Sequence, residues 1–382
     1  MGLANTLKDL AVKLEISNDS VFGYPIEKQK QYIAHFPEPK DDIQRSYFQY
    51  KCQMQFNKPI ITFALNIASF PLLLLYLFKS GSEISTDEEQ KDSIFFSDGK
   101  PENIIPDVLL DRIKPIEVIK NKKELLTNDD KKFIRRVWKR YPFSFQFVVK
   151  CLLKVRYYSY EIHRLNPKYI IVCNEYSFTS SVLTKYCEEC EIKHINVMHG
   201  EKLYYMRDSF FHFHECYVWD DYYRELFQQM RAEFSQFKVA VPPSLKFPEG
   251  EQIRKTKQYT YYLGWESGEK LRTIVKAMDE LRRNGFEVAI RPHPRYTDLS
   301  EIKSCAPQIE IEDYKSLTIE QSLKRTENAV SVYSTVLNQA YNNGIGIVID
   351  DVSDREKYRR LEERQYIMLS KPHKLLSKLM RD

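Results

Sequence analysis

The feature of this sequence that most constrains its fold is an alternation of short apolar segments with stretches of helical spacing. The clearest example spans residues 169–198: 169–173 (YIIVC) is continuously apolar, 177–190 has helical spacing, and 194–198 is apolar again. A strand, a helix and a strand in this order predict a right-handed crossover connection and a parallel sheet.

The alternation starts again in the second half of the chain. Residues 244–257 are polar and charged and contain Pro and Gly, which indicates a linker. Beyond it, the predicted strands are 259–263, 288–291, 309–311, 329–333 and 345–349, and the predicted helices are 269–284, 319–325 and 335–342.

We therefore predict an α/β protein with two domains, residues 1–243 (including a helical N-terminal segment) and 258–382, joined by the linker. A chain of 382 residues suits two such domains. The layout resembles the GT-B arrangement, in which two Rossmann-like domains with parallel sheets face each other across a crevice. Ligands of such sheets bind outside the carboxyl ends of the strands, which is where candidate site residues are sought.

The bulk composition excludes some classes of function. The formal net charge of +5 is small for a nucleic-acid-binding protein, so we expect no nucleic-acid partner. Only 11 glycines are present, which argues against a glycine-rich phosphate loop. Seven scattered cysteines and no signal-peptide pattern predict a cytoplasmic protein with free thiols.

Two segments raise the question of membrane contact. Residues 59–78 are almost wholly apolar and long enough to span a bilayer, but Asn66, Ser69 and Pro71 interrupt them. We expect a core helix or a membrane-surface helix here, with a membrane span as the alternative. Residues 131–140 place basic side chains on one helical face, either solvated or in peripheral contact with the cytoplasmic face of the inner membrane.

The strand predicted at 288–291 ends in the run RPHPR, which contains Arg291, His293 and Pro294. Proline on both sides of His293 restricts the backbone and holds the imidazole in one direction. Guanidinium and imidazole groups at a carboxyl strand end are suited to bind phosphate oxygens. The alternative is an ordinary surface loop.

A second candidate phosphate site follows the strand predicted at 329–333. Ser334 and Thr335 begin a helix there, where hydroxyl groups either cap the helix or, with the first backbone N–H groups, bind an anion. The nearby RPHPR run favours phosphate binding. Gly264, after the strand at 259–263, opens a loop expected to contact the same ligand.

His293-Pro294 followed further along by Ser334-Thr335 resembles the HP motif and hydroxyl pair of bacterial sialyltransferases and polysialyltransferases, and of the related capsule Kdo transferases. The resemblance implies that these residues hold the phosphate of a CMP-sugar donor. Polyol-phosphate transferases of teichoic acid synthesis carry a similar RxHP element.

The catalytic base is less defined by sequence. The acidic motif of those sialyltransferases has only one literal fragment here, Ser97-Asp98-Gly99. His199-Gly200, after the strand at 194–198, instead resembles the HG element of teichoic-acid and capsule-type transferases. An imidazole can deprotonate an acceptor hydroxyl near neutral pH, and glycine permits close approach. Glu175 is the rival base or an orienting partner, and a buried structural histidine is the remaining alternative.

Together these features predict an inverting glycosyltransferase that transfers sialic acid from CMP-sialic acid to a hydroxyl of a bacterial surface glycan, either lipopolysaccharide O-antigen or capsule. The alternatives are Kdo transfer from CMP-Kdo, polyol-phosphate transfer from a CDP donor, and a non-catalytic glycan- or nucleotide-binding protein. Neither a cofactor nor a metal is expected, because Cys187-x-x-Cys190 lacks a second ligand pair and no DxD motif stands at a strand end.

Overall fold

The structure is a computed structural model that describes residues 24–85, 91–97, 99–120, 123–248, 254–297 and 299–380. The chain forms two compact units. The first comprises residues up to His199 together with Tyr204–Ala240, and the second comprises Gly200–Leu203 together with Val241 onward. Asp98 and residues 249–253 of the predicted linker lie outside the described residues.

The first unit is built on a parallel sheet of six strands in the order β2-β1-β3-β4-β5-β6. These strands are Ser93–Phe95 (β1), Ile116–Val118 (β2), Tyr169–Val172 (β3), Lys193–Val197 (β4), Glu215–Val218 (β5) and Phe237–Val239 (β6). Its α-helices are Ile26–Ala34 (α1), Asp42–Met54 (α2), Pro59–Phe78 (α3), Pro101–Ile104 (α4), Asp107–Ile113 (α5), Asn128–Arg140 (α6), Phe145–Leu165 (α7), Ser180–Glu189 (α8) and Asp221–Gln229 (α9).

The second unit also contains a parallel sheet of six strands, in the order β12-β11-β10-β7-β8-β9. The strands are Lys257–Tyr262 (β7), Val288–Arg291 (β8), Glu310–Ile311 (β9), Thr326–Ser331 (β10), Gly346–Ile349 (β11) and Lys374–Leu375 (β12). The α-helices are Gly268–Arg283 (α10), Leu299–Cys305 (α11), Ile319–Lys324 (α12), Thr335–Asn342 (α13), Arg355–Glu363 (α14), Ile367–Ser370 (α15) and Leu376–Leu379 (α16).

The two parallel sheets confirm the predicted α/β class and its two Rossmann-like domains. In the second unit the first strand, β7, lies between β8 and β10, so the chain winds one way through β9 and then the other way through β12. This is the doubly wound order in which ligands bind at the carboxyl ends of the strands where the direction reverses. Buried apolar side chains of β7, β8 and α10 form the core beneath that edge.

The apolar segment is one continuous helix, α3, and of the two expected forms, a core helix or a membrane-surface helix, it is not the core helix. Only Leu73 and Leu77 of this helix are buried, whereas Phe63 is 68% exposed and Phe78 is 80% exposed. The helix packs against α7 along a narrow side, which leaves most of its apolar surface uncovered. Within the described part of the chain, it alone is long and apolar enough to cross a membrane, by length and composition.

The basic segment forms α6, whose N-terminus is fixed by the buried Asp130. The Asp130 carboxylate accepts hydrogen bonds from the Thr127 N–H (2.6 Å), the Ser159 hydroxyl (2.6 Å) and the Tyr186 hydroxyl (2.5 Å). Burial acts to raise the pKa of this carboxyl, but hydrogen bonds from His163, Ser159 and Tyr186 outweigh burial and lower the pKa to about 2. The ionised Asp130 carboxylate therefore links α6 to Ser159 of α7 and Tyr186 of α8.

Candidate functional site

In the second unit, His293 lies just beyond the carboxyl end of β8, and two hydrogen bonds fix its position. Its backbone N–H donates to the Thr297 hydroxyl (2.8 Å), and its ring Nδ1 accepts from the Arg295 backbone N–H (3.1 Å). Because Nδ1 is an acceptor, the neutral ring carries its proton on Nε2. Burial, followed by the positive charge of Arg295, lowers the pKa of His293. The imidazole is therefore a neutral Nε2–H donor near pH 7.

Pro294 is exposed in the turn after His293, and next to it lies an aromatic stack that sequence reasoning missed. The His293 ring stacks on Tyr296 (centroids 4.4 Å apart), and Tyr296 stacks on Trp265 (3.5 Å). Trp265 is 71% exposed and Tyr296 is 42% exposed. Large flat rings uncovered at a strand end can stack on a planar ligand group. The sequence feature that could have pointed to this stack is the tryptophan directly after Gly264.

The amide of Gly264 is engaged within its own loop, and its predicted contact with a ligand stays a prediction. Its N–H donates to the Glu266 carboxylate (2.5 Å), whose other oxygen lies 3.9 Å from Lys357 Nζ. Within the loop after β7, the Glu266 side chain therefore accepts a hydrogen bond from the backbone of the same loop. Glu266 is the residue that this loop brings toward the imidazole of His293, and its charge acts to raise that pKa.

On the other side of β7, Ser334 follows β10 and begins α13. The Ser334 hydroxyl oxygen accepts from the Val336 N–H (3.2 Å), so the capping role is present. Capping uses the oxygen as an acceptor and leaves the hydroxyl hydrogen able to donate. Thr335, the first helical residue, is exposed. Since β8 and β10 both pair with β7, His293 and Ser334 follow strands that lie about 10 Å apart.

Arg291 is placed differently from the prediction. It is 7% exposed, and its guanidinium bonds to the buried Glu312 carboxylate (3.1 Å) and the Leu317 carbonyl oxygen (2.8 Å). Glu312 also accepts from the Ser322 hydroxyl (2.5 Å). The guanidinium is directed into the domain because Glu312 follows the neighbouring strand β9 and needs a counter-charge. Arg291 therefore has a structural partner inside the domain, and its predicted contact with phosphate stays a prediction.

In the first unit, the structure brings Glu175 and His199 together. Glu175 follows β3 and His199 follows β4, and these two strands pair. Glu175 Oε1 lies 3.7 Å from His199 Nδ1, and Glu175 Oε2 accepts from the Asn196 side-chain amide (3.2 Å). The Glu175 side chain is fully buried, whereas that of His199 is 51% exposed. A buried carboxylate therefore stands behind an accessible imidazole.

Asn196 is a site residue that sequence reasoning missed. Besides donating to Glu175, it accepts from the Asn174 backbone N–H through its side-chain oxygen (2.7 Å). It thus joins the ends of β3 and β4 and fixes the Glu175 carboxylate. The available signal was an amide between the apolar Ile195 and Val197, because a polar group buried in a sheet requires partners.

Gly200 follows His199 directly. A Cβ placed there would meet no protein atom within 4 Å, so the space beside it is open, and the predicted approach of an acceptor stays a prediction. Its φ is +70°, a left-handed conformation that L-residues with side chains rarely adopt. Glycine is needed for the turn after His199, and the segment Gly200–Leu203 then belongs to the second unit.

The sequence contains two pairs of adjacent aspartates, Asp220-Asp221 and Asp350-Asp351, and the first aspartate of each pair has structural partners. Asp220 accepts from the Tyr222 N–H at the start of α9 (2.9 Å). Asp350 accepts from the Val352 and Ser353 N–H groups (2.8 and 3.0 Å). Within the ranges that the structure describes, no group of three or more His, Cys, Asp or Glu side chains is arranged to hold a metal ion.

No protein-family model matches the chain, and no curated protein matches it. Solved structures of similar fold include the lipopolysaccharide outer core galactosyltransferase WaaB in its apo form, with 14% identity over 68% of this chain and 80% of that chain (TM-score 0.38). A UDP-GlcNAc 2-epimerase from Neisseria meningitidis bound to UDP-GlcNAc has 11% identity over 70% and 84% (TM-score 0.41). The wall teichoic acid polymerase TagF has 12% identity over 85% and 88% (TM-score 0.39). Each is a likeness of fold.

Proposed function

We propose that this chain is an inverting glycosyltransferase that transfers sialic acid from a CMP-linked donor to a hydroxyl of a bacterial surface glycan. The observation that carries the proposal is the hydrogen bond from the Arg295 N–H to Nδ1 of His293, which leaves Nε2 of that ring to donate. A fixed donor at the carboxyl edge of a doubly wound sheet, one strand away from the reversal point between β7 and β10, is suited to a phosphate oxygen.

The second unit binds the donor. His293 donates from Nε2 to the phosphate of CMP, and Ser334 donates its hydroxyl hydrogen from the N-terminus of α13. The positive end of the helix dipole favours the same anion. The uncovered ring of Trp265, stacked on Tyr296, offers a face to the cytosine base. These groups stabilise the negative charge that CMP acquires as it leaves.

The first unit supplies the base. His199 Nδ1 faces the Glu175 carboxylate, so Nε2 takes the proton of the acceptor hydroxyl. The acceptor oxygen forms a bond to the anomeric carbon as the bond from that carbon to the phosphate oxygen breaks, and CMP departs with the electron pair. Attack opposite the leaving group inverts the anomeric centre. Glu175 stabilises the imidazolium, and Asn196 keeps the carboxylate in place.

Donor hydrolysis by the purified protein tests the donor assignment. CMP-sialic acid, CMP-Kdo and CDP-glycerol are incubated separately with the protein, and CMP release is followed. We expect CMP release from CMP-sialic acid above that from the other two donors. Preferential release from CMP-Kdo or CDP-glycerol would assign one of the alternative transfers instead. Release from none of them, together with nucleotide binding, would favour the non-catalytic alternative.

A further inference from the structure

The first unit carries an exposed apolar surface formed by α3 and the turn after α6. Ile60 is 82% exposed, Phe63 is 68% exposed, and Phe143 in that turn is 82% exposed. Monomeric soluble proteins rarely expose contiguous apolar areas of this kind without a partner. The surface therefore requires an occupant, and the charges around it indicate which one.

A groove runs between α3 and α6 beside this surface. Its volume is about 490 Å³, within the range of ligand sites, and its apolar walls include Phe70, Phe78, Trp138 and Phe145. The polar residues lining it are Arg135 and Lys139, which are four positions apart and share one face of α6. Both side chains are exposed, and no acidic residue lines the groove.

The basic residues of α6 fall into two sets. Lys132 pairs with Asp129 (2.8 Å), and Arg136 pairs with Glu189. Across the described ranges, no ion pair joins Arg135, Lys139 or the two lysines that flank α3, Lys58 and Lys79, to a carboxylate. The uncompensated positive charge therefore lies on the side of α6 that borders the apolar surface.

Polar contacts hold α3 in the domain. The Asn66 side chain donates to the Phe143 carbonyl oxygen (2.9 Å) and accepts from the Gln146 N–H (3.0 Å). Near the other end, Arg156 donates to the Tyr76 hydroxyl (2.8 Å). Crossing a bilayer would break these contacts and place Asn66 in hydrocarbon, where unpaired polar groups are costly. A helix lying in the membrane interface keeps them.

We infer that this surface docks the first unit on an anionic phospholipid bilayer, with α3 lying in the interface and Arg135 and Lys139 contacting lipid phosphate groups. An apolar face bordered by basic side chains is the pattern of interfacial helices, which use apolar burial and attraction to anionic lipids together. The inference is independent of the proposed transfer reaction.

Vesicle flotation tests the role of charge. The wild-type chain is expected to bind phosphatidylcholine vesicles that contain phosphatidylglycerol, and to bind less as salt is raised. Because each basic residue near such a surface adds about 1 kcal/mol, the R135Q/K139Q variant is expected to lose about 30-fold in partitioning. The matched variant K132Q/R136Q makes the same charge change at residues paired with carboxylates and is expected to bind nearly as the wild type does.

The apolar contribution is tested by Phe63→Ser, with Phe234→Ser as the control at another exposed aromatic residue of the same unit. Phe63→Ser is expected to weaken vesicle binding and the control to leave it unchanged. Brominated lipids are expected to quench the fluorescence of Trp138. The contribution of Trp138 is the part of the quenching that disappears in the Trp138→Phe variant. Circular dichroism and melting temperature verify that each variant is folded.

Three results would overturn the inference. One is equal binding to vesicles with and without the anionic lipid. Another is unchanged vesicle binding by R135Q/K139Q. The third is a chain that binds none of the vesicles and sediments as a dimer, because a second copy of the chain would then cover the apolar surface.

Discussion

Replacing His199 by alanine is expected to lower donor turnover about 10²- to 10⁴-fold, the usual contribution of a positioned general base. Nucleotide binding should be unchanged, because the groups proposed to hold the phosphate lie on the second unit. A large effect is expected because the His199 side chain is 51% exposed, whereas the Glu175 carboxylate beside it is fully buried and cannot reach an acceptor in its place. Steady-state CMP release and CMP titration measure the two quantities separately.

Variants around His199 separate a base from a structural histidine. Glu175→Gln retains an oxygen that can accept from Asn196 but loses the negative charge facing His199, so we expect a smaller fall in turnover without loss of nucleotide binding. His35→Ala, at an exposed histidine of the first unit, serves as the control. Unchanged turnover in His199→Ala would remove this residue from the mechanism.

The second large effect is expected on stability, from Arg291→Met. Removing the guanidinium leaves Glu312 buried without its main counter-charge, which typically destabilises a protein by 3–5 kcal/mol. We expect about 3 kcal/mol, at the low end of that range, because Arg325 Nε lies 3.7 Å from the other Glu312 oxygen. Chemical denaturation measures the change in the free energy of unfolding.

Two companion variants make the Arg291 result specific. Arg291→Met combined with Glu312→Leu is expected to recover most of the lost stability, since no buried charge remains. Arg295→Met, at the exposed arginine of the same run, should change stability by no more than about 0.5 kcal/mol. Unchanged stability together with lost nucleotide binding in Arg291→Met would instead support the phosphate role that the sequence suggested.

Sequence patterns succeeded where a residue's position follows from topology. Glu175 and His199 come directly after two consecutive strands joined by a helix, so parallel pairing brings both to the same sheet edge. His293 and Ser334 could be located by the same rule. The predicted strand 329–333 was nevertheless displaced, because the strand begins at Thr326 and ends at Ser331. The polar residues at 326–328 hide the start of that strand.

The missed features depend on partners distant in sequence. The direction of the Arg291 side chain is set by Glu312, which follows the next strand, and the Trp265–Tyr296 stack joins loops after two different strands. The exposure of α3 could not be read from composition, because a core helix and an interfacial helix have the same apolar content. The structure rules out the core helix, because only Leu73 and Leu77 of α3 are buried.

The measurement that tests the central claim most directly is a thermal-shift titration with CMP, CDP, UDP and GDP. A ligand that binds only the folded state at 100 times its Kd adds about 2.7 kcal/mol of stability. We expect CMP to raise the melting temperature of the wild type, His199→Ala and the control His373→Ala, but not that of His293→Ala. Stabilisation by UDP or GDP instead of CMP, by CMP equally in His293→Ala, or by no nucleotide would contradict the account.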